Sequence, residues 1–223
     1  MNWTMQDDYL NWNGIISNED EKINIAKKVA EKVKDGEVIG FGSGSTSFLT
    51  IKEIAKKIKN ENLKIKAVIT SDEIEKLCKE NNIETISLVQ ANLDWAFDGA
   101  DEIDKENNMI KGMGRAMFKE KLNILSSPKT YILADETKFV ENLGEKHPVP
   151  IEVFPSAMKY VANELTKIGA TETVFRGMTD NNNAILDTRF EKITKELEKQ
   201  IKLIPGVIES GLFMGYDVEI LCR

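Results

Sequence analysis

Residues 94–104 read DWAFDGADEID: an apolar run leads into a Gly-Ala step surrounded by Asp98, Asp101, Glu102 and Asp104. Carboxylates that face a pocket can hydrogen-bond sugar hydroxyls or move protons. The same acids on an ordinary polar loop would do neither. Asp clusters also bind Mg²⁺ or Ca²⁺, but these acids do not fit an EF-hand loop and no further ligands can be located, so no metal is expected. GSGST (42–46) offers small residues and a run of backbone N–H groups entering a helix. Such a turn suits an anion, because those N–H groups lack intrahelical partners and the helix dipole favours negative charge. It is neither a P-loop nor a GxGxxG fingerprint, and a plain tight turn would have the same composition. DETK (135–138) is a third candidate, and IKGMGRAMFKEK (110–121) puts Lys111 before a glycine-rich turn and Glu120 on the next helix. Lysines and glutamates on a helix are also the usual makings of a solvated face.

Positioning these segments requires a sheet. Asn18 and Glu21 mark a helix start, with Ile23, Ala26, Val29, Ala30 and Val33 on one face and Gly36 as its closing glycine. EVIGF (37–41), KIKAVIT (64–70), IETISL (83–88), WAF (95–97) and KTYILA (129–134) read as strands separated by amphipathic helices. Alternating strands and helices imply a doubly wound, mostly parallel sheet, with ligands held outside the carboxyl ends of its strands. GSGST, DGADEID and DETK all fall at such ends.

The pattern then changes. VPIEVF, a helix over about 156–168 closed by Gly169, TETVFR, AILDTRF, a helix over about 191–201, and GVIESGLF follow in β-α-β-β-α-β order. That is the order of a ferredoxin-like α+β domain. The expected division is an N-terminal arm at 1–17, a doubly wound domain at 18–149 and 206–223, and a small domain at 150–205, with VEILC (218–222) returning to the main sheet.

Composition narrows the function. A net charge of −7 with scattered lysines argues against nucleic acid as a partner, which needs a basic stripe. No apolar run approaches membrane-spanning length, and the acidic stretch MNWTMQDDYLNWN lacks an apolar signal core. Two cysteines without a CxxC fit a reduced, cytoplasmic setting. A single histidine, His147 in a loop, leaves almost no material for histidine-based zinc or Ser-His-Asp chemistry.

Taken in order, GSGST, TSDE (70–73), DGADEID, MIKGMG with KEK, ILADETKFVENLG, HPVPIEVFP, TDNNNAILD and IPGVIESGLF resemble the type A ribose-5-phosphate isomerase family over roughly residues 20–223. The resemblance implies a metal-free and cofactor-free aldose–ketose isomerase of the pentose phosphate pathway. It would interconvert D-ribose 5-phosphate and D-ribulose 5-phosphate through an enediolate. Glu120 would be the proton-transferring base, with Asp98 and Lys111 assisting ring opening and handling the oxygens on which charge develops. Substrate contacts would fall on Ser43, Gly44, Ser45, Thr46, Asp98, Asp101, Lys111, Gly112, Gly114 and Lys138, with Lys138 and the 43–46 loop as candidates for the phosphate. A homodimer or homotetramer is implied. Glu102 and Asp104 are expected to shape or solvate their loop.

The family's turn after the lysine is a run of small residues, whereas this chain has Met113 and Arg115 there. That departure keeps alternatives in view: an isomerase of the same fold for another sugar phosphate, a non-catalytic sugar-phosphate sensor, and, more remotely, a CoA-transferase-like activity.

Overall fold

The structure is a computed structural model that describes residues 16–222; most of the expected arm at 1–17 lies outside the described residues. In chain order α1 (Glu19–Ala30), β1 (Val38–Phe41), α2 (Ser45–Glu61), β2 (Lys66–Ile69), α3 (Asp72–Glu80), β3 (Glu84–Ile86) and β4 (Trp95–Gly99) alternate. Two short strands follow, β5 (Glu102–Ile103) and β6 (Met109–Ile110), then α4 (Met117–Ser126) and β7 (Thr130–Leu133). The remainder is β8 (Val149–Val153), α5 (Met158–Lys167), β9 (Ala170–Met178), β10 (Ala184–Phe190), α6 (Leu197–Lys202), β11 (Val207–Ser210), β12 (Leu212–Phe213) and β13 (Glu219–Leu221).

By residue contacts the chain divides into two units. The first takes in 16–99, 119–137 and 217–222, and the second 100–118 and 138–216. The second therefore takes in more than the 150–205 expected of a small domain, because 100–118, 138–149 and 206–216, all expected in the doubly wound domain, make their contacts with it.

In the first unit six strands pair in parallel in the order β13-β7-β4-β1-β2-β3. The chain builds outward from β1 to β3, then returns to the other side of β1 at β4. That reversal makes the carboxyl ends of β1 and β4 the crevice where a doubly wound sheet can hold a ligand. The core is largely aliphatic but includes four aromatic rings on the strands: Phe41 and Phe97 lie 5.0 Å apart, and Trp95 and Tyr131 meet edge-on at 5.7 Å. Gly40 permits the close packing of β1 on β4, since a Cβ there would sit 2.8 Å from the Ala96 Cβ.

The second unit has a four-stranded antiparallel sheet in the order β11-β8-β10-β9, the ferredoxin-like arrangement expected from element order. Its core joins Val149, Ile151, Val153, Val161, Leu165 and Ile201. A three-stranded sheet, β12-β6-β5, completes it. GVIESGLF, expected as one strand, is split at Gly211 between these sheets. A Cβ at Gly211 would collide with the Lys111 carbonyl oxygen and come 2.7 Å from Pro150, so only glycine lets the chain change sheets there.

Three local expectations are corrected. Asn18 precedes α1, but its side chain makes no cap hydrogen bond; the residue is left-handed, at φ 52°, and its amide reaches Asp135 instead. Gly36 does not close α1, which ends at Ala30; it turns the chain into β1 at φ 83°, donating its N–H to the Lys64 carbonyl. The helix expected at 191–201 starts only at Leu197, where the buried pair Leu197 and Ile201 first provides a helical face. Gly169 follows α5 at φ 97°, as expected, and the Ser71 hydroxyl caps α3 by accepting the Ile74 N–H at 3.3 Å.

Candidate active site

In the first unit the loop after β1 meets the end of β4 and the buried face of α4. Asp98, the penultimate residue of β4, faces Gly42, where a Cβ would collide with its carboxylate. The Asp98 Oδ1 accepts the Gly99 N–H at 2.7 Å and the Ser43 N–H at 3.1 Å, so two main-chain donors fix its orientation. Ser43 turns its hydroxyl to Glu120 and donates to Oε1 at 2.5 Å. Asp98 and Glu120 are both 3% exposed. Glu120 shares the buried stripe of α4 with Met117 and Ile124, three residues before and four after it, so helical spacing alone turns it inward. Ser43, Asp98 and Glu120 thus form one linked group at the sheet's switch point.

A second group lies at the start of α2. Gly44, at φ 92°, precedes the helix, and Ser45, Thr46 and Ser47 supply its first turn. That turn has no acid, whereas α1 begins with Glu19, Asp20 and Glu21 and α3 with Asp72, Glu73 and Glu75. A buried cation takes the place of the usual carboxylates: the Lys22 ammonium donates to Ser45 Oγ at 3.1 Å and to Ser17 Oγ at 3.4 Å. It lies 3.8 Å from Asp135 Oδ2. Sequence reading missed Lys22. Its signal was position, since Lys22 falls on the same helical stripe as Ile25, Ala26 and Val29, where a lysine is out of place.

The remaining expected residues belong to the second unit. Asp101 Oδ2 accepts the Met113 N–H at 3.1 Å, which ties the acid to the glycine-rich turn. Lys111 is 2% exposed, its N–H donates to the Gly211 carbonyl at 2.9 Å, and its ammonium stands 5.5 Å from the centre of the Phe213 ring. Gly112 adopts φ 99°, and a Cβ would press to 2.7 Å from Met117 Cβ. Gly114 is exposed and Lys138, ending a 3-10 turn from Glu136, is half-buried. Arg115 is left-handed at φ 62°, a conformation that costs a side chain roughly 1–2 kcal/mol. Its guanidinium is directed to β9, where it donates to the Met178 carbonyl at 3.5 Å. Gly177 leaves it room, since a Cβ there would be 2.6 Å from Arg115 Nη1.

The other acids of DGADEID have structural work. Glu102 is fully buried and accepts the N–H groups of Gly144, Lys146 and His147 at 2.6, 2.7 and 2.5 Å. Asp104 accepts the Glu106 and Asn108 N–H groups and the Asn108 side-chain amide. Among the described residues no group of three or more His, Cys, Asp or Glu could hold a metal ion, and no helix is long and apolar enough to cross a membrane.

Residues 66–222 match the family described as Ribose 5-phosphate isomerase A (phosphoriboisomerase A). The chain belongs to the ribose 5-phosphate isomerase A family. It is 40% identical over 212 residues to Ribose-5-phosphate isomerase A of Methanocaldococcus jannaschii, covering 91% of this chain and 93% of that protein. It is 41% identical over 209 residues to the enzyme of the same name from Prochlorococcus marinus, covering 88% and 90%. Among solved structures, ribose 5-phosphate isomerase A of M. jannaschii superposes with a TM-score of 0.88 over 92% of this chain and 95% of that one. A D-ribose-5-phosphate isomerase in complex with phospho-erythronic acid, 36% identical, superposes with a TM-score of 0.87 over 93% and 96%.

Proposed function

We propose that this ribose-5-phosphate isomerase works through Glu120 as the base that moves a proton between C1 and C2, with the phosphate of the sugar received at the start of α2. The observation that carries the first part is the Ser43 hydroxyl donating to the buried Glu120 carboxylate at 2.5 Å, beside Asp98, at the sheet's switch point. On open-chain ribose 5-phosphate, Glu120 takes the C2 proton and the electron pair forms the C1–C2 double bond of an enediolate. Returning the proton to C1, while the O2 hydroxyl proton passes to O1, yields ribulose 5-phosphate. A carbon acid needs a placed base, and the developing oxyanion needs an electrostatic partner. Asp98 and Lys111 are assigned to the oxygens and to ring opening, as the family resemblance implies. Asp101, Gly112 and Gly114 are assigned to substrate contact on the same basis, and Lys138 remains a second phosphate candidate.

The phosphate assignment rests on three features together. The first turn of α2 offers unpaired N–H groups, it lacks the acids that open α1 and α3, and the buried Lys22 ammonium lies against Ser45. Phospho-erythronic acid, in complex with the related enzyme, has a carboxylate at one end and a phosphate at the other, the two charges this reading needs. The directing of Arg115 to Met178 removes one reason to expect a different substrate. A cytoplasmic homodimer or homotetramer is carried forward on the resemblance.

The test is turnover of D-ribose 5-phosphate by purified protein in EDTA. Ribulose 5-phosphate should form at the rate seen without chelator. Loss of turnover in EDTA, restored by added divalent metal, would refute the metal-free mechanism.

A further inference from the structure

We propose that Asp135 is a positioning residue for phosphate recognition: its buried carboxylate holds the Lys22 ammonium at the start of α2, charged and oriented for the substrate's phosphate. The inference rests on the assignment of that phosphate to Lys22 and α2. Asp135 follows β7 and is 2% exposed, and Lys22 is 3% exposed. Its Oδ2 lies 3.8 Å from Lys22 Nζ. Its Oδ1 accepts the Thr137 N–H at 3.0 Å, the Thr137 hydroxyl, and the Asn18 amide at 3.4 Å. The carboxylate is therefore pinned from the chain that follows it and from the residue preceding α1. Asn18 gives up the cap hydrogen bond that asparagine ordinarily makes at a helix start in order to reach it.

The physical need is plain. An ammonium this deep, without a nearby negative charge, either loses its proton or withdraws to water, because burial disfavours its charged form. Asp135 removes that penalty before any substrate arrives, and Ser45 and Ser17 set the direction. A preorganised cation then meets a phosphate without first paying for its own desolvation. There is an opposing effect, since a carboxylate near a phosphate repels it. Which effect is larger sets the sign of the outcome.

The experiment measures competitive inhibition of ribose 5-phosphate turnover by phospho-erythronic acid and by erythronic acid, which lacks the phosphate. Asp135→Asn should weaken the phosphorylated inhibitor by about ten-fold or more, the scale of one charge-assisted contact, and leave erythronic acid within about two-fold. Lys22→Met should weaken the phosphorylated inhibitor likewise, and Lys22→Met/Asp135→Asn should be no worse than Lys22→Met. Equal weakening of both inhibitors by Asp135→Asn would reduce Asp135 to a structural role, and tighter binding of the phosphorylated one would show repulsion to be dominant. Either result overturns the proposal, as does an additive double variant. If Lys22→Met leaves the preference for the phosphorylated inhibitor intact, the phosphate assignment itself fails, which separates the two. Should Asp135→Asn not fold, Asp135→Glu keeps the charge but displaces it. It should weaken only the phosphorylated inhibitor, and equal weakening of both would again overturn the idea.

Discussion

Glu102 and Glu120 are both buried glutamates, one in each unit of the chain, and their surroundings differ in kind. Glu102 is enclosed by three main-chain N–H groups that use both of its oxygens. Amides of a folded loop cannot turn away, so this carboxylate is committed to holding residues 144–147. Glu120 instead receives a hydroxyl from Ser43 on a glycine-flanked loop. A hydroxyl rotates and can both give and accept a proton, which suits the role of base proposed for Glu120. Burial alone does not separate the staple Glu102 from Glu120, the proposed base; one is held by main-chain amides and the other is met by a side-chain hydroxyl.

Replacing each glutamate tests that contrast. Glu120→Gln should lower kcat by about 10²–10⁴-fold, the range expected for loss of a positioned general base, while the urea midpoint stays near that of the wild type. A variant that kept its activity would move the base elsewhere. Glu102→Ala should do the opposite. Losing the acceptor of three inward N–H groups should cost about 3–5 kcal/mol in urea unfolding, with kcat per folded molecule unchanged. If Glu102→Ala loses kcat in proportion to Glu120→Gln, the two sites are not separable.

Asp187 on β10 is an intermediate case. Burial, opposed by Arg176 and reinforced by Asp101, pushes its carboxyl from the ordinary 3.8 up to about 6. The folded protein therefore binds this proton more tightly than the unfolded chain does. The resulting stability is fully present below about pH 4 and is lost as pH rises through about 6. Asp187→Asn should remove that dependence. Its stability relative to wild type should rise by up to about 3 kcal/mol between pH 4 and pH 6. A difference that stays flat across that window would show that Asp187 titrates normally.

Much of this was legible in the residues. Alternating strands and helices implied the parallel sheet, and the β-α-β-β-α-β run implied the second sheet's strand order. DGADEID was legible as a place but not as a set of roles. Asp98 is oriented by Ser43, which is 55 residues away in sequence. Glu102 is saturated by a loop more than 40 residues further on. No local pattern distinguishes these two acids. The two-residue strands β5, β6 and β12 are too short to carry a period, and Gly211 looks like any glycine within a strand until the Lys111 carbonyl is found against it.

By itself the sequence determined the fold class, the longer elements, and which loops lie at carboxyl strand ends, because hydrophobic period and turn chemistry are local. Only the tertiary structure decided which charges are buried together. Lys22 became a cation at the start of α2, Asp135 its counter-charge, and Ser43 the donor to Glu120, because burial and hydrogen bonding join residues that the chain keeps far apart.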